Sequence, residues 1–184
     1  MLKEGLVEKS DQFYQLTPQG LEIASRLDTS LLEVTKQPKV SVLVFVSRKV
    51  GTKPEILLVE RLTDPIKSFV SCPTSKVRFG ELFEEAAERC LLEETGLTAT
   101  VEYTGLIRYV DRMNDSIRED AVIACFRAIK LNGTILSKSK KTKNFWMQVA
   151  QAKKLQNVYP DFSTLLDHLL DNRQFYLQSV VNYT

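Results

Sequence analysis

Residues 79–97 read F-G-E-L-F-E-E-A-A-E-R-C-L-L-E-E-T-G-L: a turn, a helix and a glycine stop. Gly80 supplies the turn, and Glu81 puts a carboxylate where a helix N-terminus favours negative charge. Ala86, Ala87, Leu91 and Leu92 are strong helix formers. Thr95-Gly96 ends the helix, with Gly96 suited to a left-handed C-cap. At about 100° per residue, Phe83, Ala86, Ala87, Cys90, Leu91 and Leu97 share one broad apolar face. Glu94 falls near the middle of that face and Glu93 on its edge, while Glu84, Glu85 and Glu88 lie elsewhere as solvated charges. A carboxylate on an apolar stripe is costly unless it is paired or metal-bound. Two readings stay open: a frayed last turn in which both carboxylates reach water, or a divalent-metal site of hard oxygen ligands.

Working outward, Val40–Val46 is almost wholly apolar, as a strand buried on both faces would be. Ser47–Pro54 reads as a polar turn around Gly51, and Glu55–Arg61 as a second strand. Leu62–Pro73 is a loop punctuated by Pro65 and Pro73. Within it Phe69 reads as a core or loop anchor. After the helix, Thr98–Val110 is extended and interrupted at Gly105. Asp111–Asp120 reads as a charged, exposed loop, Ala121–Leu131 as a buried strand, and Asn132-Gly133 as a hairpin turn. Ser137–Asn144 holds four lysines that can steer a phosphate-bearing ligand or simply form a solvated loop. Phe145-Trp146-Met147 leads into a short helix from about Gln148. Asp161 is placed to N-cap a last helix with Phe162, Leu165, Leu166, Leu169 and Leu170 on its apolar side. His168 falls at the edge of that side and reads as structural.

The 184 residues suffice for one full domain plus an appendage. With 43% hydrophobic and 26% charged residues the chain is ordinary for a globular protein, and a net charge of +2 is too small to argue for nucleic acid. No apolar run reaches the length of a membrane span. The three cysteines, Cys72, Cys90 and Cys125, are far apart and odd in number, so neither a disulfide framework nor a zinc site is expected, and a reducing cytoplasm fits best.

Aligned on its C-terminal end, the 79–97 stretch and its approach resemble the signature of the Nudix hydrolases, G-x5-E-x7-R-E-U-x-E-E-x-G-U with U bulky and aliphatic. Glu81, Arg89, Leu91, Glu93, Glu94, Gly96 and Leu97 fit it. Ser75 stands at the first glycine, where a tight turn can require positive φ, and Cys90 stands at the first glutamate of the R-E-U-x-E-E core. Pro73–Glu81 resembles the P-G-G-K-x-E-x-G-E approach common in the family, with Arg78 at a usually acidic position. The resemblance implies an α/β fold, a Nudix-type α/β/α sandwich with a mixed sheet. It also implies a divalent-metal-dependent pyrophosphohydrolase of nucleoside diphosphate-linked substrates, using Mg²⁺ or Mn²⁺. Carried over, Glu93 and Glu94 are the catalytic metal ligands, with Asp115, Glu119 and Asp120 as further loop candidates. Gly80, Glu81, Arg89 and Gly96 form the structural box, Glu81 pairing with Arg89. Phe69 and Arg78 become the candidate substrate contacts, and Cys90 the altered catalytic position, since a thiol cannot replace a hard ligand for Mg²⁺. The changes at Ser75, Arg78 and Cys90 leave two classes open: a hydrolase with a weakened site, or a catalytically silent nucleotide-binding or regulatory module.

Residues 1–35 resemble the wing hairpin and last helix of a winged-helix domain. Gly5-Leu6-Val7 and Phe13–Leu16 give the hairpin, Thr17-Pro18 the helix start, and Leu21, Ala24, Leu27 and Leu31 the stripe. The helix that enters the DNA groove would precede Met1, so autonomous DNA binding is not expected. The segment is expected to pack on the main domain or on a second subunit, as in a homodimer. The expected divisions are this appendage, a Nudix domain over 39–175, and a tail with strand character over 176–184.

Overall fold

The computed structural model describes residues 4–10, 12–28, 33–64, 66–114, 116–171 and 173–183, and it divides at Gln37/Pro38 into two units. In the first, β1 (Val7–Ser10) and β2 (Phe13–Leu16) form an antiparallel hairpin with Val7 opposite Leu16. Thr17 caps α1 (Pro18–Ala24): its hydroxyl accepts from the Gly20 amide at 3.1 Å and donates to the Gly5 carbonyl at 2.7 Å. A Cβ on Gly20 would lie 1.9 Å from the Leu6 carbonyl oxygen, so only glycine lets helix and hairpin approach. The helix stops at Ala24, short of the stripe read through Leu27. The Ser25 hydroxyl bonds the Glu22 carbonyl at 2.7 Å and the Arg26 amide closes onto Ile23 at 3.0 Å, local bonds that compete with helix propagation. Leu27 instead begins β3 (Leu27–Asp28), paired with β4 (Glu33–Val34). Leu31 lies outside the described residues.

The second unit runs β5 (Lys39–Phe45), β6 (Ser47–Val50), β7 (Lys53–Arg61), β8 (Val70–Ser71), β9 (Thr74–Lys76), α2 (Phe83–Thr95), β10 (Thr98–Met113), β11 (Ser116–Asn132), β12 (Thr142–Gln148), α3 (Val149–Ala152), α4 (Phe162–Leu170) and β13 (Phe175–Tyr183). A five-stranded mixed sheet has the order β13-β10-β11-β5-β9, with β13 and β5 parallel to their neighbours β10 and β11. An antiparallel sheet has the order β12-β7-β6, with β8 also on β7.

β5 explains the sandwich. Alternate side chains point to opposite faces of a strand. Val42 and Val44 pack with Ala86, Ala87, Cys90 and Leu91 of α2, whereas Leu43 and Phe45 pack with Phe162, Leu165, Leu166 and Leu169 of α4. Helices therefore cover both faces, and the near-continuous apolar run of the strand follows. Phe83 departs from the apolar face assigned to it and is 43% exposed, because it opens the helix before the sheet is reached.

Four local readings change. Ser47–Pro54 is a β6–β7 hairpin turning at Gly51, whose φ is +60°. Ser75 needs no positive φ, because it lies extended in β9 opposite Val42. Asp111–Asp120 is mostly strand: β10 and β11 continue through it with Asp111 opposite Glu119, while Asp115 lies outside the described residues. Its charges tolerate this because they are paired, the buried Asp111 with Arg118, Asp120 with Arg108, and Glu119 with Lys39 at 2.6 Å. Asn132-Gly133 ends β11 without making a hairpin, since the next strand, β12, joins β7 in the other sheet. Residues 176–184 contain most of β13, an edge strand of the mixed sheet. Among the described residues no helix is long and apolar enough to cross a membrane.

Candidate functional site

The loop between β9 and α2 turns at Gly80, whose φ is +81°. The Arg78 amide donates to Glu81 at 2.8 Å. From α2, Arg89 reaches back two turns and grips Glu81 with a two-pronged fork, Nε to Oε1 at 2.5 Å and Nη2 to Oε2 at 2.8 Å. The same guanidinium donates to the Lys76 carbonyl at 3.0 Å and the Ser75 hydroxyl at 3.2 Å. Arg89 thereby ties loop and β9 to the helix, and its guanidinium, with the Arg78 amide, holds the Glu81 carboxyl down at about 2. Gly96, at φ +74°, closes the helix with its amide 2.9 Å from the Leu92 carbonyl.

Glu94 is buried, and neither water nor a frayed turn accounts for it. Oε1 accepts from Arg61 Nη1, Oε2 from the Thr74 amide at 3.3 Å, and Arg61 Nη2 donates to the Thr74 carbonyl at 3.1 Å. One carboxylate thus joins β7, β9 and α2. Its backbone carbonyl accepts from Asn144 Nδ2 at 2.7 Å and from the Thr142 hydroxyl at 3.3 Å, adding β12 to the junction. Burial raises the Glu94 carboxyl above its ordinary range, against the pull of the Arg61 guanidinium. Glu93, half-exposed, is held by Arg78 at 3.0 Å on Oε1 and by Arg89 at 3.3 Å on Oε2. Cys90 is fully buried in the apolar cluster under α2, and burial pushes its thiol well up.

These residues do not fit Mg²⁺ or Mn²⁺. All four carboxylate oxygens of Glu93 and Glu94 already face nitrogen donors, and Cys90 offers only a buried neutral sulfur. Among the described residues no three Asp, Glu, His or Cys side chains gather to hold a metal. Glu119 is paired with Lys39 of β5 and Asp120 with Arg108 of β10.

Beside this junction a cavity of about 160 Å³ opens between the mixed sheet and α4, lined by Arg61, Phe69, Tyr109, Glu119, Tyr159 and Asp161 among others. Phe69 and Tyr109 both pack on Tyr159, at centroid distances of 5.7 and 5.3 Å. Phe69 is therefore a wall of the cavity, whereas Arg78 stands outside it with Glu93. Asp161 occupies the N-cap position of α4 but makes no capping bond, because its carboxylate accepts from the Ser179 hydroxyl instead. His168 stacks on Phe175 at 5.1 Å. Arg61 is the residue that sequence reasoning missed. It ends an ordinary strand, and only the fold brings it to Glu94.

The sequence profile of the NUDIX domain matches residues 36–169. The chain belongs to the Nudix family. Its Nudix fold is shared with the NUDIX domain of Shewanella oneidensis NrtR complexed with ADP ribose, at a TM-score of 0.63 and 16% identity, covering 82% of this chain and 96% of that one. It is shared equally with the MutT protein from Bacillus halodurans, at a TM-score of 0.65 and 23% identity over 79% and 90% of the two chains. The MutT protein of Methanosarcina mazei gives 0.59 and 17% over 74% and 99%. No curated protein matches the chain. Within this Nudix domain the box helix and its Glu81–Arg89 clasp lie beside the cavity-lining Arg61, and the link between them is Glu94.

Proposed function

We propose that this Nudix domain binds a nucleoside diphosphate derivative without hydrolysing it. The observation that carries the reading is the engagement of every carboxylate oxygen of Glu93 and Glu94 by protein nitrogens. Family hydrolysis calls on carboxylates free to hold cations that neutralise the diphosphate and activate water, and here that donor set is internally paired. Binding is supported by the aromatic-walled cavity, whose polar lining includes Arg61, Glu119 and Asp161, a composition suited to a flat ring bearing polar groups. The NrtR NUDIX domain, alike in fold, is seen with ADP ribose.

The test is calorimetric titration with ADP-ribose, a nucleotide sugar, a dinucleoside polyphosphate and a nucleoside triphosphate. Chromatography of each mixture after incubation with Mg²⁺ or Mn²⁺ follows. Saturable binding with intact ligand recovered is the expected result. Turnover that disappears in Glu94→Gln overturns it in favour of the second reading, a weakened metal-dependent pyrophosphohydrolase. That reading draws on one observation, the half-exposure of Glu93.

A further inference from the structure

β13 is the outermost strand of the mixed sheet, and among the described residues its far edge pairs with no strand. Its nine residues, F-Y-L-Q-S-V-V-N-Y, contain no charge, no proline and no glycine, in a chain that is 26% charged. Its register with β10 runs from Gly105–Phe175 to Met113–Tyr183 without a bulge. Charged side chains, lysine above all, together with proline and bulges are what keep an open edge from pairing with another chain. The other strands that end the two sheets are shorter, and each carries a lysine: Lys76 in β9, Lys49 in β6 and Lys143 in β12. Of these four edges, only β13 lacks such a guard.

We infer that two copies of this chain pair antiparallel along β13 about a twofold axis at Gln178, joining two five-stranded sheets into one. Leu177 and Ser179 line the cavity, so Tyr176, Gln178, Val180 and Asn182 face the other way, with Tyr176 60% and Val180 48% exposed. The register sets Tyr176 opposite Val180 of the second copy and Phe175 opposite Val181 of the second copy. These are aromatic and β-branched pairs, which stabilise neighbouring antiparallel strands, and the symmetry makes each of them twice. The self-complementary contact closes on itself. Head-to-tail growth would have to seat β13 on β9, which offers three residues and a lysine. A foreign peptide added to a sheet edge is selected by pockets for its alternate side chains, whereas Tyr176 and Val180 stand open. The pairing does not depend on the nucleotide reading.

The experiment is sedimentation equilibrium of the full chain across a range of concentrations, as wild type and as Val180→Lys. The wild type is expected to form a reversible dimer. Val180→Lys, an exposed position outside the cavity, is expected to keep the fold by circular dichroism and to weaken the dimer at least about tenfold, since the symmetry places two lysines on the seam. Gln178→Cys gives a second readout. The native Cys72, Cys90 and Cys125 are fully buried, so a short bismaleimide is expected to link Gln178→Cys into a covalent dimer and to leave Lys49→Cys, on β6, unlinked.

A wild type that stays monomeric, a dimer that Val180→Lys leaves intact, or a dimer that Gln178→Cys fails to link each overturns the inference. In the first case, β13 amides that still resist hydrogen exchange would assign the edge to another part of the same chain. In the other two the contact between copies lies elsewhere.

Discussion

Arg61 and Glu94 stand 33 residues apart in the chain, yet they meet at the junction of β7 and α2 with 12% and 10% of their side chains exposed. Such a pair adds little over two apolar residues, but severing it is expensive. Arg61→Met is expected to lower stability by about 3–5 kcal/mol, and Arg61→Met/Glu94→Met to recover most of the loss. Urea denaturation of Arg61→Met, Glu94→Met and the double variant checks this. Additive losses would mean that the two groups are uncoupled.

The two glutamates of the box respond to acid with opposite sign. Glu81 lies at about 2 in the fold against an ordinary 4.5, so its contribution is fully present above 4.5 and is lost as pH falls toward 2. Glu94 is raised above 4.5 by burial. Its contribution is greatest below 4.5 and is lost as pH rises through the raised value. Urea midpoints followed downward from neutral pH should therefore gain from Glu94 first and lose from Glu81 below 4.5. Glu81→Gln should flatten the acid limb, and an unchanged limb would show that the clasp contributes nothing.

Asn144 donates both hydrogens of Nδ2, to the Glu94 carbonyl at 2.7 Å and to the Leu136 carbonyl at 2.8 Å. Asn144→Ala removes both bonds, leaving the Glu94 carbonyl only the Thr142 hydroxyl, and should cost about 1–3 kcal/mol. Asn144→Asp, nearly isosteric, puts an anion where two donors are needed and should cost more than alanine. The reverse order in thermal melts would remove Asn144 from the junction.

Restoring a glutamate at position 90 is the obvious route to reviving the box, and the structure argues against it. Cys90 is fully buried among Val42, Val44, Ala86 and Leu91, with the Glu94 carboxylate close enough to raise its thiol further. Cys90→Glu should destabilise the fold by more than about 2 kcal/mol and confer no Mn²⁺ binding by paramagnetic resonance. A stable, Mn²⁺-binding variant would show that the pocket under α2 can open.

The box helix was legible because its signals are local. Gly80, the spacing of Ala86, Ala87, Cys90 and Leu91, and the Gly96 stop all act within a few residues, and the apolar run of β5 marks a strand covered on both sides. Glu94 could be singled out as misplaced on an apolar face, but its partner could not be read, because Arg61 ends an unremarkable strand. Asp111–Asp120 misled for a related reason: charge density imitates a loop when Asp111, Glu119 and Asp120 have cross-strand partners that sequence does not display. Asn132-Gly133 carried a hairpin signal, yet the strand that follows has its register set by β7. Asp161 carried a capping signal, and Ser179, on the edge strand, took its carboxylate.

The mixed sheet also dictates an order of assembly. β10 and β11 are joined directly and pair antiparallel along nearly their whole length, whereas β5 and β13 are parallel guests recruited from distant parts of the sequence. Closing long loops is what slows folding. We expect the hairpin to be structured in the rate-limiting state, with φ-values high at Ile107 and Ala124 and low at Leu177 and Val181. High values in β13 would reverse that order. On this view the cavity is among the last features to form, since its wall at Leu177 and Ser179 arrives with the final strand, and a ligand could meet only a chain whose sheet is already complete.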